Sequence, residues 1–277
     1  MKKIDAINML ALLLMSTGAV ASVPSLNQCP DMVFTDSMEV DSIPSNGNGG
    51  GFPGNFTRTI TVGNDDHTFY YYIPSSYQPA EPMPMMVLWS GAVFAGGGPA
   101  AAQDMIDYWQ ATAETHDFII VSQAIIGTQN CDPCGWVPAS DLNILDFILA
   151  DMDSRYNLEN TRKYVWGFSA GGFVQHENAL SHADYYAAYA ISGAHLGYAN
   201  SVGTFPSSAS RKLPVYLSVG QHDGHHAAAL SDVSTFTADG WRLNRNIWFD
   251  SFVGGHQLPN DVPGKAWEKI CISTNLE

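Results

Sequence analysis

A serine, a carboxylate and a histidine stand in this chain in settings that could together make an activated nucleophile. Tyr164-Val165-Trp166-Gly167-Phe168-Ser169-Ala170-Gly171-Gly172 places a Gly-x-Ser-x-Gly between an apolar run and a helical stretch. A sharp strand-to-helix turn at that point projects the hydroxyl above the edge of a sheet, and the small neighbours let strand and helix pass closely. The helix N-terminus that follows favours nearby negative charge. A serine hydroxyl is a poor nucleophile until a base takes its proton, so an acid and a histidine should follow in that order. The apolar run from Val215 ends in Gly220-Gln221-His222-Asp223, and the run from Ile247 to Phe252 leads into Val253-Gly254-Gly255-His256-Gln257-Leu258-Pro259. The reading is Ser169 as nucleophile, His256 as general acid/base, and Asp223 as the group that fixes the imidazole tautomer and offsets its positive charge.

An acyl-transfer site also needs two backbone N–H groups for the developing oxyanion, one from the residue after the nucleophile and one from the loop after an earlier strand. Ala170 is the first. The loop Ser90-Gly91-Ala92-Val93-Phe94-Ala95-Gly96-Gly97-Gly98 offers the second at Ala92, with Val93 as its neighbouring substitute. Asp232, Asp239 and Asp250 are rival acids, but Asp250 falls within an expected strand and the other two in a polar stretch. His222, His225 and His226 around Asp223 raise a metal-dependent hydrolase as a competing class. Because that cluster coincides with the triad's acid, a His-rich surface loop is the preferred reading, and no metal or cofactor is expected. His67, His116, His176 and His182 are read as surface residues or local hydrogen-bonding groups.

Positioning three such residues takes a particular architecture. Met85–Trp89, Phe118–Val121, Tyr164–Trp166, Tyr186–Ile191, Val215–Leu217 and Ile247–Phe249 are short unalternating apolar runs, as in strands covered on both faces. Helical patterns lie between them at Ala100–His116 and Ser140–Arg155, the second with Leu142, Leu145, Ile148, Leu149 and Met152 in helical register behind Ser140 as N-cap. Thr57–Val62 and Thr68–Ile73 flank Gly63-Asn64-Asp65-Asp66, a hairpin signal. The fold class is therefore α/β, a single doubly wound, mostly parallel sheet led by an antiparallel hairpin. Asp223 and His256 then fall past the C-terminal ends of strands, where open α/β sheets carry their sites.

The remaining features bound the setting. Lys2 and Lys3, the apolar Ile7–Met15 and Ala19-Val20-Ala21 read as a secretory signal over residues 1–21, too short to span a bilayer. Residues 22–56 form a lead and a Gly/Asn/Pro-rich linker from Ser42 to Asn55, and 57–277 one catalytic domain; Asn55-Phe56-Thr57 is a sequon. In an oxidising compartment Cys29, Cys131, Cys134 and Cys271 imply two disulfides, with three connectivities open. With 27 acidic against 12 basic residues, a formal charge of -15 and 45% hydrophobic residues, the chain is globular and lacks the basic face of a nucleic-acid binder. Removing Lys2, Lys3 and Asp5 takes the charge one unit lower. A neutral ester or polyester is the expected partner, with no nucleic acid and no membrane span, and a monomer is expected.

These motifs resemble the esterase family of poly(3-hydroxybutyrate) depolymerases and the related feruloyl and acetylxylan esterases, over about Phe69 to Pro259. Tyr156-Asn157 through Gly172 matches the family's turn, strand and Gly-x-Ser-Ala-Gly-Gly elbow. Gly220 to Asp223 matches its Gly-x-x-Asp, and Gly255 to Pro259 its Gly-His-x-Trp-Pro, with Leu258 where tryptophan is usual. The resemblance implies an α/β-hydrolase fold and a secreted serine esterase. The substrate it implies is a polyhydroxybutyrate-like polyester or its oligomers, or else a feruloyl or acetyl ester of plant polysaccharide. It implies substrate contacts at Leu258 and at Trp136, which equally suits a core position. The family's oxyanion loop begins His-Gly, whereas this chain has Ser90-Gly91.

Overall fold

The computed structural model describes residues 42–48, 50–125 and 135–276. Eight strands form one sheet: β1 (Gly54–Val62), β2 (Asp65–Ile73), β3 (Met83–Trp89), β4 (Ile119–Gln123), β5 (Leu158–Phe168), β6 (Ala188–Ser192), β7 (Val215–Gly220) and β8 (Ile247–Phe252). Their spatial order is β1-β2-β4-β3-β5-β6-β7-β8. β1 pairs antiparallel with β2 and β2 with β4, and every later pairing is parallel. The helices are α1 (Gly98–His116), α2 (Pro138–Arg155), α3 (Ala170–Ser181), the short α4 (Gly197–Ser201), α5 (His226–Ala238) and α6 (Val262–Ile270).

The unalternating runs have a simple cause. In β3, Met85, Val87 and Trp89 join one core cluster while Met86 and Leu88 join the other, so successive side chains enter opposite cores. α2 and α3 cover the first face through Ile144, Leu145, Ile148, Leu149, Met152, Val174 and Leu180. α1 and α6 cover the second through Met105, Ile106, Trp109, Val262, Ala266 and Trp267. Trp267 stacks on Phe118 at 3.8 Å between ring centroids, tying α6 to the start of β4.

Several local expectations are revised. The hairpin turn is only Gly63-Asn64, with Gly63 at φ +66 and Val62 opposite Asp65. The α2 cap is not Ser140: Val137 is the N-cap, Pro138 opens the helix, and the Asp141 carboxylate accepts the Val137 N–H. Pro at the first helical position costs nothing, because its missing N–H would have had no partner there. The segment read as a free linker is docked where it is described. Pro44 bridges Glu159, the Ser45 N–H donates to Leu158 O at 2.8 Å, and the Ile43 N–H donates to Glu159 Oε1 at 2.9 Å. Gly47 and Gly50 serve close approach, since a Cβ on Gly50 would lie 2.5 Å from the Tyr156 ring. No helix among the described residues is long and apolar enough to cross a membrane. Cys271, at the end of α6, is fully buried and disulfide-bonded, whereas Cys29, Cys131, Cys134 and the proposed signal lie outside the described residues.

Candidate active site

The strand register delivers the site. Phe168 of β5 pairs with Ser192 of β6, Ser192 with Ser218 of β7, and Ser218 with Asp250 of β8, so β5 and β6 end level while β7 and β8 run two residues further. Ser169 follows β5 directly at φ 51, ψ -118, a conformation an L-residue rarely holds. Its N–H donates to Ser192 O at 2.9 Å. The motif's glycines are required by contact: a Cβ on Gly167 would lie 2.6 Å from the Gly171 carbonyl carbon, and one on Gly171 2.5 Å from Trp89 O. The turn is thus wedged between β5, α3 and the end of β3, which holds the strained serine in place.

Past β7, Asp223 lies in a tight turn with its side chain 2% exposed. Its Oδ1 accepts the His225 N–H at 2.9 Å, and its Oδ2 bonds His256 Nδ1 at 2.7 Å. Burial by itself would raise this carboxyl, but the His225 N–H and the hydrogen bond and charge of His256 outweigh it and hold it below its ordinary value. Past β8, the His256 loop is tied to the Asp223 turn by Gln221 N–H to Phe252 O and His222 N–H to Gly254 O, both 2.8 Å. Gly220 allows this crossing, since a Cβ there would lie 2.5 Å from Gly254 O. His256 Nε2 then stands 2.8 Å from Ser169 Oγ, and its ring stacks on Phe168 at 5.0 Å. The three residues form one unbroken hydrogen-bonded chain from a buried carboxylate to an accessible hydroxyl, suited to proton abstraction from serine and its return to a leaving group.

Ala170 opens α3, so its N–H is one of the helix-end donors without an intrahelical partner. The opposing loop passes close to Ser169, as a Cβ on Gly91 would lie 3.2 Å from Ser169 Cβ. Ala92 follows it and is exposed. Trp136 stacks on Trp89 at 4.0 Å and donates its indole N–H to Ser90 O at 2.8 Å, while Gly171 N–H donates to the same carbonyl at 3.0 Å. At 8% exposed, Trp136 supports the start of the Ser90–Gly98 loop through this contact. Leu258 is partly buried beside the second core.

The rivals are engaged elsewhere. Asp250 accepts from Tyr216 Oη and Lys265 Nζ, and Asp239 caps α5. Asp232 is buried, accepts the Leu196 N–H at 2.8 Å, and is pushed up to about 7 by burial, which that N–H only partly offsets. The His222–His226 cluster does not assemble as read: His222 is exposed and His226 Nε2 pairs with Ser251 Oγ at 2.9 Å. His176, read as a surface or locally bonded residue, is fully buried with Nδ1 3.3 Å from Tyr189 Oη and is lowered to about 3, by burial and then by the charge of His195. Three further residues, none of them marked by a motif, stand beside the relay. Gly193 at φ +62 lets the post-β6 turn pass the His256 ring, and His195 and Phe173 pack beside His225. Only Gly193, a glycine just past an apolar run, carried a local signal.

No family model and no curated protein matches this sequence. Solved structures do. A ferulic acid esterase aligns over 78% of this chain and 94% of its own at 15% identity and TM-score 0.60. A ferulic acid esterase from Anaeromyces mucronatus aligns over 81% and 92% at 11% identity and TM-score 0.59. An S-formylglutathione hydrolase from Agrobacterium tumefaciens aligns over 79% and 97% at 13% identity and TM-score 0.58. What this chain shares with all three is the α/β-hydrolase fold.

Proposed function

We propose that this chain is an exported serine ester hydrolase that works through a covalent acyl-enzyme. The observation that carries the reading is the relay Asp223–His256–Ser169, at 2.7 and 2.8 Å, with its serine on a strained turn at a helix N-terminus. Ser169 Oγ attacks the ester carbonyl carbon while His256 Nε2 takes its proton. The carbonyl oxygen gains the negative charge, which the Ala170 and Ala92 N–H groups receive; each such donor is worth about 3 kcal/mol of barrier. The tetrahedral intermediate expels the alcohol, which leaves with the proton from His256, and the acyl group stays on Ser169. Water, deprotonated by His256, then repeats the sequence and frees the acid. Asp223 stays ionised throughout and holds the ring's Nδ1–H, so that Nε2 presents a lone pair.

The substrate we favour is a neutral polymeric ester, a polyhydroxybutyrate-like polyester or its oligomers. In support, His256 is 39% exposed at the rim, and Phe94 and Val253, on the oxyanion and histidine loops, expose 76% and 80% of their surface. A chain lying across an open rim can reach such a serine, and apolar side chains there suit an apolar polymer. A feruloyl or acetyl ester of plant polysaccharide is the second reading, favoured by the likeness to ferulic acid esterases. Parallel assays on short-chain polyhydroxybutyrate, methyl ferulate and acetylated xylan test the choice: the first is expected to give the highest kcat/KM, and a preference for methyl ferulate would transfer the assignment. Export through residues 1–21, two disulfides among Cys29, Cys131, Cys134 and Cys271, residues 57–277 as the catalytic domain, and action as a monomer complete the proposal.

A further inference from the structure

The wall of the site behind the relay is rich in imidazole. The His225 ring lies 5.4 Å from that of His256, at 65°, and Phe173 packs edge-on to His225 at 5.2 Å, which fixes its position beside the triad. Asp223, His225 and His256 each offer one ligand atom, and these atoms all lie within 4.8 Å of one another. A tetrahedral ion with bonds of roughly 2.0–2.2 Å needs ligand atoms roughly 3.4 Å apart, so small side-chain rotations close the gap. Two imidazoles and a carboxylate suit Zn2+ and similar transition-metal cations, not Mg2+ or Ca2+, which prefer oxygen donors. The formal charge of -15 draws cations toward the molecule.

We infer that Asp223, His225 and His256 form an inhibitory site for a transition-metal cation of the Zn2+ type. Inhibition follows whichever nitrogen of His256 the ion takes. At Nε2 the ion occupies the lone pair that would accept the Ser169 proton. At Nδ1 the ring must move its proton to Nε2, which then has no lone pair to offer. Asp223 in turn exchanges the His256 hydrogen bond for the cation. The inhibition rests on the hydrolase reading above, whereas binding rests on geometry alone.

The test uses the full chain, with ZnCl2 titrated by calorimetry and, separately, into a p-nitrophenyl acetate assay. Wild type is expected to bind one Zn2+, to lose activity in proportion to occupancy, and to recover it in chelator, while MgCl2 and CaCl2 leave it unchanged. His225→Ala should need at least about tenfold more Zn2+ both to bind and to be inhibited relative to its own metal-free rate, as even outer partners of a metal site are worth that much. Ser169→Ala should bind Zn2+ like wild type although inactive, so failure of the hydrolase reading is separable from failure of the site. Absence of binding, equal Zn2+ sensitivity in His225→Ala, or a rate that rises with Zn2+ would each overturn the inference.

Discussion

In the proposed mechanism the proton that leaves Ser169 passes to His256 Nε2, 2.8 Å from Ser169 Oγ, on a ring whose Nδ1 lies 2.7 Å from Asp223 Oδ2. A second buried carboxylate, Asp232, shows the opposite shift. Asp223 gains enough hydrogen bonds to stay charged, while Asp232 has one N–H, from Leu196, against its burial and rises from 3.8 to about 7. Between about pH 4 and 7 the folded molecule therefore keeps a proton on Asp232 that the unfolded chain has lost. Its contribution to stability is full below that window and is lost as pH rises through about 7. Asp232→Asn cannot lose that proton, so its melting temperature relative to wild type should climb between pH 5 and pH 8; a constant difference would refute the assignment. Ser169, Asp223 and His256 were legible in the sequence because each follows an apolar run at a glycine-marked turn. His195 and Phe173 were not, because nothing in their local spacing says that the turns after β6 and β7 meet over α3.

The elements act as a clamp on the nucleophile. The end of β3, the Ser90–Gly91 turn and the first turn of α3 approach so closely that Gly171 N–H reaches Ser90 O at 3.0 Å, and a Cβ on Gly171 would strike Trp89 O. Gly171→Ala should therefore push the oxyanion loop off its seat. A displacement of about 1 Å there is worth about 100-fold in kcat, with less effect on KM. Gly63→Ala is the control: its Cβ meets nothing, but φ +66 costs about 1 kcal/mol, so stability should fall with activity unchanged. Equal kinetics for the two variants would contradict the clamp. Strand identities were readable from apolar runs, and β5 proved longer than its run because its start carries polar residues, among them Glu159 and Lys163, that pair with Pro44 and Met85. The α2 start and the docking of Ile43–Ser45 on β5 were hidden. Each depends on a partner distant in sequence or on a side chain inside the helix, Asp141, that pattern reading counts as interior.

At the scale of the whole molecule, two cores on either side of one sheet leave the strand ends free to carry chemistry, and the surface is strongly acidic. That acidity opposes anionic substrates through a field that salt screens within about 10 Å at 0.1 M. For a carboxylated aryl ester kcat/KM should rise with added NaCl, while for its neutral analogue it should stay flat; matching salt profiles would mean that the field does not reach the site. The α/β-hydrolase fold itself admits many chemistries, so the weight of the functional reading falls on one hydroxyl. The direct measurement is turnover of a p-nitrophenyl ester by Ser169→Ala beside wild type, with circular dichroism to verify the fold. Loss of at least about four orders of magnitude in kcat with an unchanged spectrum is the predicted result. Turnover near the wild-type rate by the folded variant would contradict the account.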